Sequence, residues 1–123
     1  MLTSIQAGPV GAPQLVLLHG ITSSAAANWP SIAHWSQRGW RVIALDARGH
    51  GLSPRWQPQQ LLRAGQQLVD DVVEELEYLQ ATPAAGLKPI LIGHSMGAAT
   101  AAVVAAQASL QSAKINLDYT RIK

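Results

Sequence analysis

Cysteine is absent from this chain of 123 residues, which excludes a disulfide framework and a thiolate nucleophile. Charge is also scarce, since charged residues make up 13% of the sequence and the formal net charge is +2. Because the basic residues are scattered rather than clustered, we expect no nucleic-acid partner and no electrostatic attraction to a membrane. The length suffices for one hydrophobic core, so a single domain over residues 1–123 is expected.

Targeting signals and long apolar runs are missing too. The first six residues lack the basic start and the apolar stretch of a signal peptide. The longest apolar helical segment, Met96 to Ala108, is interrupted by Thr100 and Gln107 and is too short to span a bilayer. We therefore expect a cytoplasmic protein without a membrane span.

Signatures of cofactor and metal binding are equally absent. Neither Gly-x-Gly-x-x-Gly nor Gly-x-x-x-x-Gly-Lys-Ser/Thr follows an early apolar run. A dinucleotide-binding module is therefore set aside, and no cofactor is expected. The acidic residues between Asp70 and Glu77 are compatible with a cation site, but their spacing favours the solvated face of an amphipathic helix. No metal site is predicted.

What the sequence does contain is an alternation of apolar strands and helical segments. Strands are expected at Leu2–Gln6, Leu15–Leu18, Arg41–Leu45 and Lys88–Ile92. Helices are expected from Pro30 to Arg38, from about Leu61 to Gln80, and after Ser95. Continuous apolar runs are typical of strands buried on both faces of a parallel sheet, joined by right-handed crossovers. The predicted fold class is α/β, a mostly parallel sheet of about five strands with flanking helices.

The last segment differs from the other strands. From Lys114 to Thr120, polar and apolar residues alternate, which indicates a strand with one face in water. A sheet that ends at such a strand has an open edge, and an open edge favours pairing with another chain. A homo-oligomer formed through this edge is therefore one expectation.

The segment from Ile90 to Ala101 contains the candidate nucleophile. An apolar strand runs directly into Gly-x-Ser-x-Gly at residues 93–97, and an alanine-rich helix follows. A serine oxygen is a weak nucleophile unless it stands clear of the surface beside a base and near backbone donors. A sharp strand-to-helix turn holds the serine clear of the surface and near backbone donors. Gly93 and Gly97 have no side chains that would clash in this turn. The helix N-terminus directs its partial positive charge to where negative charge develops, so the sequence predicts a nucleophile elbow.

Three motifs occur along the chain in a characteristic order: His19-Gly20 after the first buried strand, the loop from Asp46 to Ser53, and the elbow at residues 93–97. In order and spacing they resemble the α/β-hydrolase family, most of all its small esterase, lipase and lysophospholipase-like members. The resemblance covers essentially the whole chain but only the N-terminal half of the family's fold. It therefore implies a truncated α/β-hydrolase core.

The resemblance also implies roles for individual residues. Ser95 is the nucleophile, and the backbone N–H groups of Met96 and Ile21 form the oxyanion hole. The substrate-binding residues that it implies are His19, Gly20 and His94. A serine at the elbow separates this chain from family branches with an aspartate there, such as the haloalkane dehalogenases. The implied activity is hydrolysis of a small-molecule carboxylic ester through an acyl-enzyme.

The general base is the part that the resemblance does not supply. Family members carry their acid and then their catalytic histidine after the serine, whereas no histidine follows Ser95 here. His94 is adjacent in sequence, and adjacent side chains on a turn point apart. His19 ranks first as a substitute base, while His50 is expected to be structural and His34 to lie at or near the surface.

Two interpretations stay open beside a serine hydrolase. The chain can be a non-catalytic truncated fragment, which the change of composition at Lys114 favours. It can also be a half-domain that folds or functions only by association through its open edge. Asp118, at the end of the final strand, matches the place of the acid in a minority of the family, but an acid without a histidine to orient has no triad role.

Overall fold

A sheet of five strands forms the centre of the molecule. The computed structural model describes residues 1–80, 89–111 and 118–122. The strands are β1 (Ser4–Ala7), β2 (Gln14–Leu18), β3 (Arg41–Leu45), β4 (Ile90–His94) and β5 (Asp118–Ile122). They are ordered β1-β3-β2-β4-β5, with β1 antiparallel to β3 and the other neighbours parallel. The predicted α/β class with a mostly parallel sheet is confirmed.

Helices flank this sheet, and one of the predicted helices is divided. The α-helices of the described residues are α1 (Trp29–Ser36), α2 (Pro58–Leu61), α3 (Ala64–Gln80) and α4 (Met96–Gln111), and a short 3-10 helix, Ala26–Asn28, directly precedes α1. Helical structure begins earlier than the predicted Leu61 because Gln57 and Gln60 form a reciprocal capping box around Pro58, whose missing N–H is not needed in a first turn. The apolar spacing alone did not reveal this separate start.

The register of the parallel strands brings the loops that follow them to one edge of the sheet. Leu18, at the end of β2, is paired with Leu45 of β3 and with Gly93 of β4. His19, Asp46 and the elbow, which follow these paired residues, therefore meet at the carboxyl edge. Ligands of open α/β sheets bind at this edge.

Apolar clusters cover both faces of the sheet. Successive residues of a strand point to opposite faces, so Leu18 packs with Leu76 of α3 and Val104 of α4. Leu17 belongs to the opposite cluster, which includes Ile32 of α1. Packing on both sides holds the central strands in place and gives the loops at the carboxyl edge a rigid support.

β5 lies at the edge of the sheet, and in the described residues it pairs with β4 alone. The predicted strand from Lys114 to Thr120 overlaps β5 from Asp118 onward, while residues 114–117 lie outside the described residues, as does Lys88. Across the ranges that the structure describes, no helix combines the length and hydropathy needed to cross a bilayer.

The acidic residues of α3 divide between two environments. Three of them are exposed, as the prediction of a solvated face requires: Asp70, Glu74 and Glu77. The prediction is wrong for Asp71 and Glu75, which are 6% and 5% exposed. Asp71 pairs with Arg48, and Glu75 accepts the backbone N–H of Leu2 at 2.8 Å. Partners distant in sequence explain why both carboxylates are buried.

Replacing Glu75 by glutamine is expected to remove a pH-dependent loss of stability. Burial raises the pKa of the Glu75 carboxyl above its ordinary value of 4.5, against the opposing effects of the Leu2 N–H and the N-terminal charge. The folded state therefore binds the proton more tightly than the unfolded state. This contribution to stability is fully present below pH 4.5 and is lost as the pH rises through the raised pKa.

Glutamine keeps an acceptor for the Leu2 N–H but cannot ionise, so Glu75→Gln should gain stability relative to the wild type as the pH rises from acid to neutral. Urea unfolding at a series of pH values measures this difference. Glu75→Ala serves as a control, because it leaves the buried N–H without a partner at about 1–3 kcal/mol. A difference between Glu75→Gln and the wild type that does not change with pH would contradict the expectation.

Candidate active site

The turn between β4 and α4 presents Ser95 at the carboxyl edge of the sheet. Ser95 is exposed and adopts a left-handed backbone conformation with φ of +56°. Such a conformation costs a residue other than glycine about 1–2 kcal/mol, and strain of this kind is concentrated at functional sites. The turn continues directly into α4, since the Ala99 N–H donates to the Ser95 carbonyl at 3.1 Å.

Both glycines of the elbow lie where two backbone segments approach closely. A Cβ atom on Gly93 would overlap the carbonyl of Gly97 and the nitrogen of Ala98. A Cβ atom on Gly97 would overlap the carbonyl groups of Leu18 and His19, where β2 ends. The start of α4 is therefore in direct contact with the loop that follows β2.

Gly20 brings this loop against the elbow. A Cβ atom on Gly20 would lie 3.3 Å from the Cβ of Ser95 and 3.5 Å from Nδ1 of His94. The loop thus passes beside the serine side chain, with the exposed Ile21 as the next residue. The structure brings together the two segments that carry the predicted oxyanion donors, Ile21 in the loop and Met96 at the start of α4.

His19 uses both of its ring nitrogens to hold the loop. Nε2 accepts the Ala47 N–H at 3.0 Å, so the ring proton is on Nδ1, which lies 2.7 Å from the Gly20 carbonyl oxygen. Burial lowers the pKa of His19 below 6.5, and the charge of His50 acts in the same direction. The ring is neutral and 2% exposed. It has no nitrogen free to accept the proton of Ser95 or to contact a substrate.

The other histidine rings do not bond to Ser95 either. Nδ1 of His50 lies 3.0 Å from the Arg48 carbonyl oxygen. His34 packs edge-to-face against the adjacent tryptophan ring, 4.8 Å away, and His94 is exposed. In the described part of the chain, no histidine is hydrogen-bonded to the Ser95 hydroxyl.

An ion pair that the sequence pattern does not predict connects the loop after β3 to α3. The Arg48 guanidinium donates to both carboxylate oxygens of Asp71 at 2.8 Å. The side chains are only 14% and 6% exposed. The hydrogen bond to Asp71 raises the pKa of Arg48, which burial alone would lower. The signal for this pair was the three-residue spacing of Asp71 from Leu68, which puts the carboxylate beside the apolar side of the helix.

A groove of about 180 Å³ opens beside the elbow on the α1 face of the sheet. Its lining includes His94 of the elbow, Ile92 of β4 and Trp35 of α1. Pockets for drug-sized ligands begin at roughly 300 Å³, so this groove has room for a small substituent only. Within the ranges that the structure describes, no cluster of three or more His, Cys, Asp or Glu side chains suits a metal ion.

Comparison with known proteins shows the family of the chain. The family model for serine aminopeptidases, S33, matches residues 12–116, which include the elbow and both loops beside it. The chain belongs to the α/β-hydrolase family. This membership confirms the predicted resemblance.

Curated relatives within the family are hydrolases of several kinds. The sn-1-specific diacylglycerol lipase ABHD11 of Xenopus tropicalis is 41% identical over 102 residues, 81% of this chain and 29% of its own length. The 2-(acetamidomethylene)succinate hydrolase of Mesorhizobium japonicum is 35% identical over 109 residues, 88% of this chain and 36% of its own. Epoxide hydrolase B of Mycobacterium tuberculosis is 36% identical over 89 residues, 72% of this chain and 23% of its own. The chain thus spans between 23% and 36% of the length of these relatives.

Solved structures of α/β hydrolases superpose on the chain. The crystal structure of E-2-(acetamidomethylene)succinate hydrolase has a TM-score of 0.70 and 30% identity, covering 86% of this chain and 35% of that one. An epoxide hydrolase from Vigna radiata has a TM-score of 0.75 at 22% identity, covering 99% of this chain and 34% of that one. At this lower identity the likeness concerns the fold.

The left-handed backbone at Ser95 of this α/β hydrolase is expected to affect the stability of variants at this position. Ser95→Gly and Ser95→Ala both remove the hydroxyl, but only glycine adopts a positive φ without strain. We therefore expect Ser95→Gly to be more stable than Ser95→Ala by about 1 kcal/mol in urea unfolding.

Ser31, exposed on helix α1, is the matched control for this comparison. In a right-handed helix the order reverses, and alanine should be more stable than glycine by roughly 0.5–1 kcal/mol. If Ser95→Ala were as stable as Ser95→Gly, the elbow would not be strained at Ser95.

Proposed function

We propose that the chain carries the nucleophile and the oxyanion hole of a serine hydrolase that cleaves carboxylic esters. The observation that carries the proposal is the conformation of Ser95: exposed, left-handed, and held between two glycines at the start of α4. A serine in this position attacks an acyl carbon. The elbow of an α/β hydrolase holds its nucleophile in this way.

The reaction follows from the groups around Ser95. Its Oγ atom attacks the ester carbonyl, and the new oxyanion accepts hydrogen bonds from the backbone N–H groups of Met96 and Ile21. Each donor of this kind contributes about 2.7–4 kcal/mol of transition-state stabilisation. The C–O bond to the alcohol breaks, the alcohol leaves with a proton, and the acyl group stays on Ser95. Water then attacks the acyl-enzyme, and the acid and the free serine are released.

A base for Ser95 has to come from outside the four histidines of this sequence. His19 has both nitrogens engaged, and the other rings do not bond to the serine. Oxyanion donors and substrate binding alone retain roughly 10³–10⁴-fold catalysis over water in a serine protease without its triad. We therefore infer that the 123-residue chain is acylated slowly by an ester whose alcohol is a good leaving group, and that deacylation, which needs a base to activate water, is slower still.

The substrate class is inferred from the nucleophile. A serine favours acyl transfer, so an ester substrate, as in the diacylglycerol lipase relative, is preferred over the epoxide named for other relatives. Gly20 and His94 adjoin Ser95 and would contact a small-molecule ester, while His19 would act by shaping the loop. No metal or cofactor takes part, and the cysteine-free sequence suits a cytoplasmic location.

The alternative proposal is a half-domain that functions by association. It is favoured by the position of β5 at the sheet edge, where strand pairing with a second copy would seal the edge. Light scattering distinguishes a monomer from a dimer in solution. A monomer would contradict self-association, and a dimer would support it.

Trapping the acyl-enzyme tests the proposed chemistry. The 123-residue protein is incubated with p-nitrophenyl butyrate, quenched in acid and analysed by intact mass and peptide mapping. We expect a butyryl group on Ser95, because acylation without an effective base for deacylation lets the intermediate accumulate. Ser4→Ala, in the edge strand β1 and away from the elbow, should retain the adduct, and Ser95→Ala should lose it. A folded protein without an adduct on Ser95 would overturn the proposal.

A further inference from the structure

The loop that contains Ile21 is held at both ends by the residues that follow β3. At one end, the Ala47 N–H donates to Nε2 of His19 at 3.0 Å. At the other end, Oδ1 of Asp46 accepts the N–H of Ala25 at 2.8 Å in a buried hydrogen bond. Two consecutive residues that follow β3 therefore fix where the loop leaves the sheet, at His19, and where it ends, at Ala25 before the 3-10 helix.

The Asp46 carboxylate is itself held in one orientation. Its Oδ2 atom accepts the Thr3 hydroxyl at 2.9 Å, and its backbone carbonyl accepts the Ser53 hydroxyl. Thr3 in turn donates its N–H to the Ser53 oxygen at 2.8 Å. Gly51 packs against the carboxylate so closely that a Cβ atom there would overlap it. With 7% of Asp46 exposed, the side chain cannot turn away from Ala25 without breaking several contacts.

The loop between the two attachment points is strained and exposed. Thr22 adopts a left-handed conformation with φ of +64°, which is unfavourable for a β-branched residue. Ile21 is 65% exposed, so its side chain gains little from packing. Within the loop, the Ser23 N–H donates to the Gly20 carbonyl at 3.2 Å, and Nδ1 of His19 lies 2.7 Å from the same oxygen. The conformation of Ile21 therefore depends on how the ends are held.

We propose that Asp46 is a positioning residue for the oxyanion hole. By accepting the Ala25 N–H, it holds the loop in the conformation that directs the Ile21 N–H toward the acyl group on Ser95. The inference rests on the proposed ester hydrolysis for its chemical consequence. The effect of Asp46 on the loop can be measured without any reaction at Ser95.

Amide hydrogen exchange measured by NMR is the first test, carried out in the Ser95→Ala background so that no nucleophile is needed. Asp46→Ala should speed exchange of the Ala25 amide at least about tenfold, because the buried N–H loses a charged acceptor. The Ile21 and Thr22 amide signals should shift, while exchange in β2 stays unchanged. Asp46→Asn, which keeps an acceptor for Ala25, should restore the wild-type pattern. Asp70→Ala, which removes an exposed carboxylate of α3, is the matched control.

Phosphonylation of Ser95 by an alkyl fluorophosphonate is the second test. Asp46→Ala should lower the maximal labelling rate by about tenfold or more, as loss of an oxyanion donor does, with little change in probe affinity. Asp46→Asn should recover the rate. If Asp46→Ala does not fold, Thr3→Val, which frees one carboxylate oxygen, should show the same changes to a smaller degree.

The outcomes distinguish the positioning role of Asp46 from the proposed hydrolase chemistry at Ser95. Unchanged exchange at Ala25 and Ile21 in Asp46→Ala would overturn the positioning role, and so would a loosened loop with an unchanged labelling rate. A wild-type protein that is never labelled would instead contradict the proposed hydrolase chemistry, while the exchange result still decides whether Asp46 holds the loop.

Discussion

Gly97→Ala is expected to destabilise the protein by more than about 3 kcal/mol, at or above the upper end of the usual cost of overpacking. The added Cβ atom would overlap the Leu18 and His19 carbonyl groups. These are backbone atoms of the central strand and the loop after it, so they cannot move away as a flexible side chain can. Urea unfolding followed by circular dichroism measures the loss.

Gly65→Ala is the matched control for this substitution. Gly65 lies in the first turn of α3, and a Cβ atom there would have no neighbour within 4 Å. Alanine favours the helix, so the variant should be neutral or more stable by up to about 1 kcal/mol. If Gly97→Ala were as stable as Gly65→Ala, the close contact between α4 and the end of β2 would not exist.

Breaking the buried ion pair between Arg48 and Asp71 is expected to cause the second large loss of stability. Asp71→Leu leaves the Arg48 guanidinium buried without a partner, and Arg48→Met leaves the Asp71 carboxylate without its bidentate donor. Removing one partner of a buried pair costs about 3–5 kcal/mol. Each single variant should therefore lose a large part of the stability of a small domain, which is about 5–15 kcal/mol.

The double variant Arg48→Met/Asp71→Leu separates the cost of leaving one charge without a partner from the free energy of the interaction itself. With both charges replaced by apolar side chains of similar shape, stability should return to within about 1 kcal/mol of the wild type or exceed it. The coupling energy of the double-mutant cycle then measures the interaction. Additive losses in the double variant would contradict the pairing of Arg48 with Asp71.

The central strands and the elbow could be predicted because local signals specify them. β3 has the predicted bounds, Arg41 to Leu45, since a continuous apolar run ends at Asp46. The glycines at positions 93 and 97 predict a strand-to-helix turn, and the structure has β4 ending at His94 and α4 beginning at Met96. In both places the local sequence and the tertiary fold favour the same conformation.

The contacts that support the candidate site could not be predicted, because their partners are distant in sequence. The bond from Ala47 to His19 joins residues 28 positions apart, and the bond from Ala25 to Asp46 joins residues 21 apart. Asp71 looks like a surface carboxylate until Arg48 is placed beside it. Apolar periodicity reports burial of side chains, but it does not identify which buried polar group meets which.

The division of the predicted helix has a local cause that the apolar spacing does not report. Residues from Leu61 to Gln80 have the spacing of one helix, yet α2 ends at Leu61 and α3 begins at Ala64. The exposed Leu61 and Leu62 make no core contact that would continue the helix. The capping box at Gln57 and Gln60 favours a separate short helix instead.

Fluorophosphonate labelling of the 123-residue protein, with and without added imidazole, tests whether Ser95 is a nucleophile that lacks a base. In the proposed hydrolase, an oriented serine lies beside oxyanion donors and no histidine of residues 1–123 serves as its base. We therefore expect slow labelling at Ser95, located by peptide mapping, and faster labelling when imidazole supplies the base. Ser95→Ala should show neither. A folded protein that is not labelled at Ser95 even with imidazole present would contradict the account.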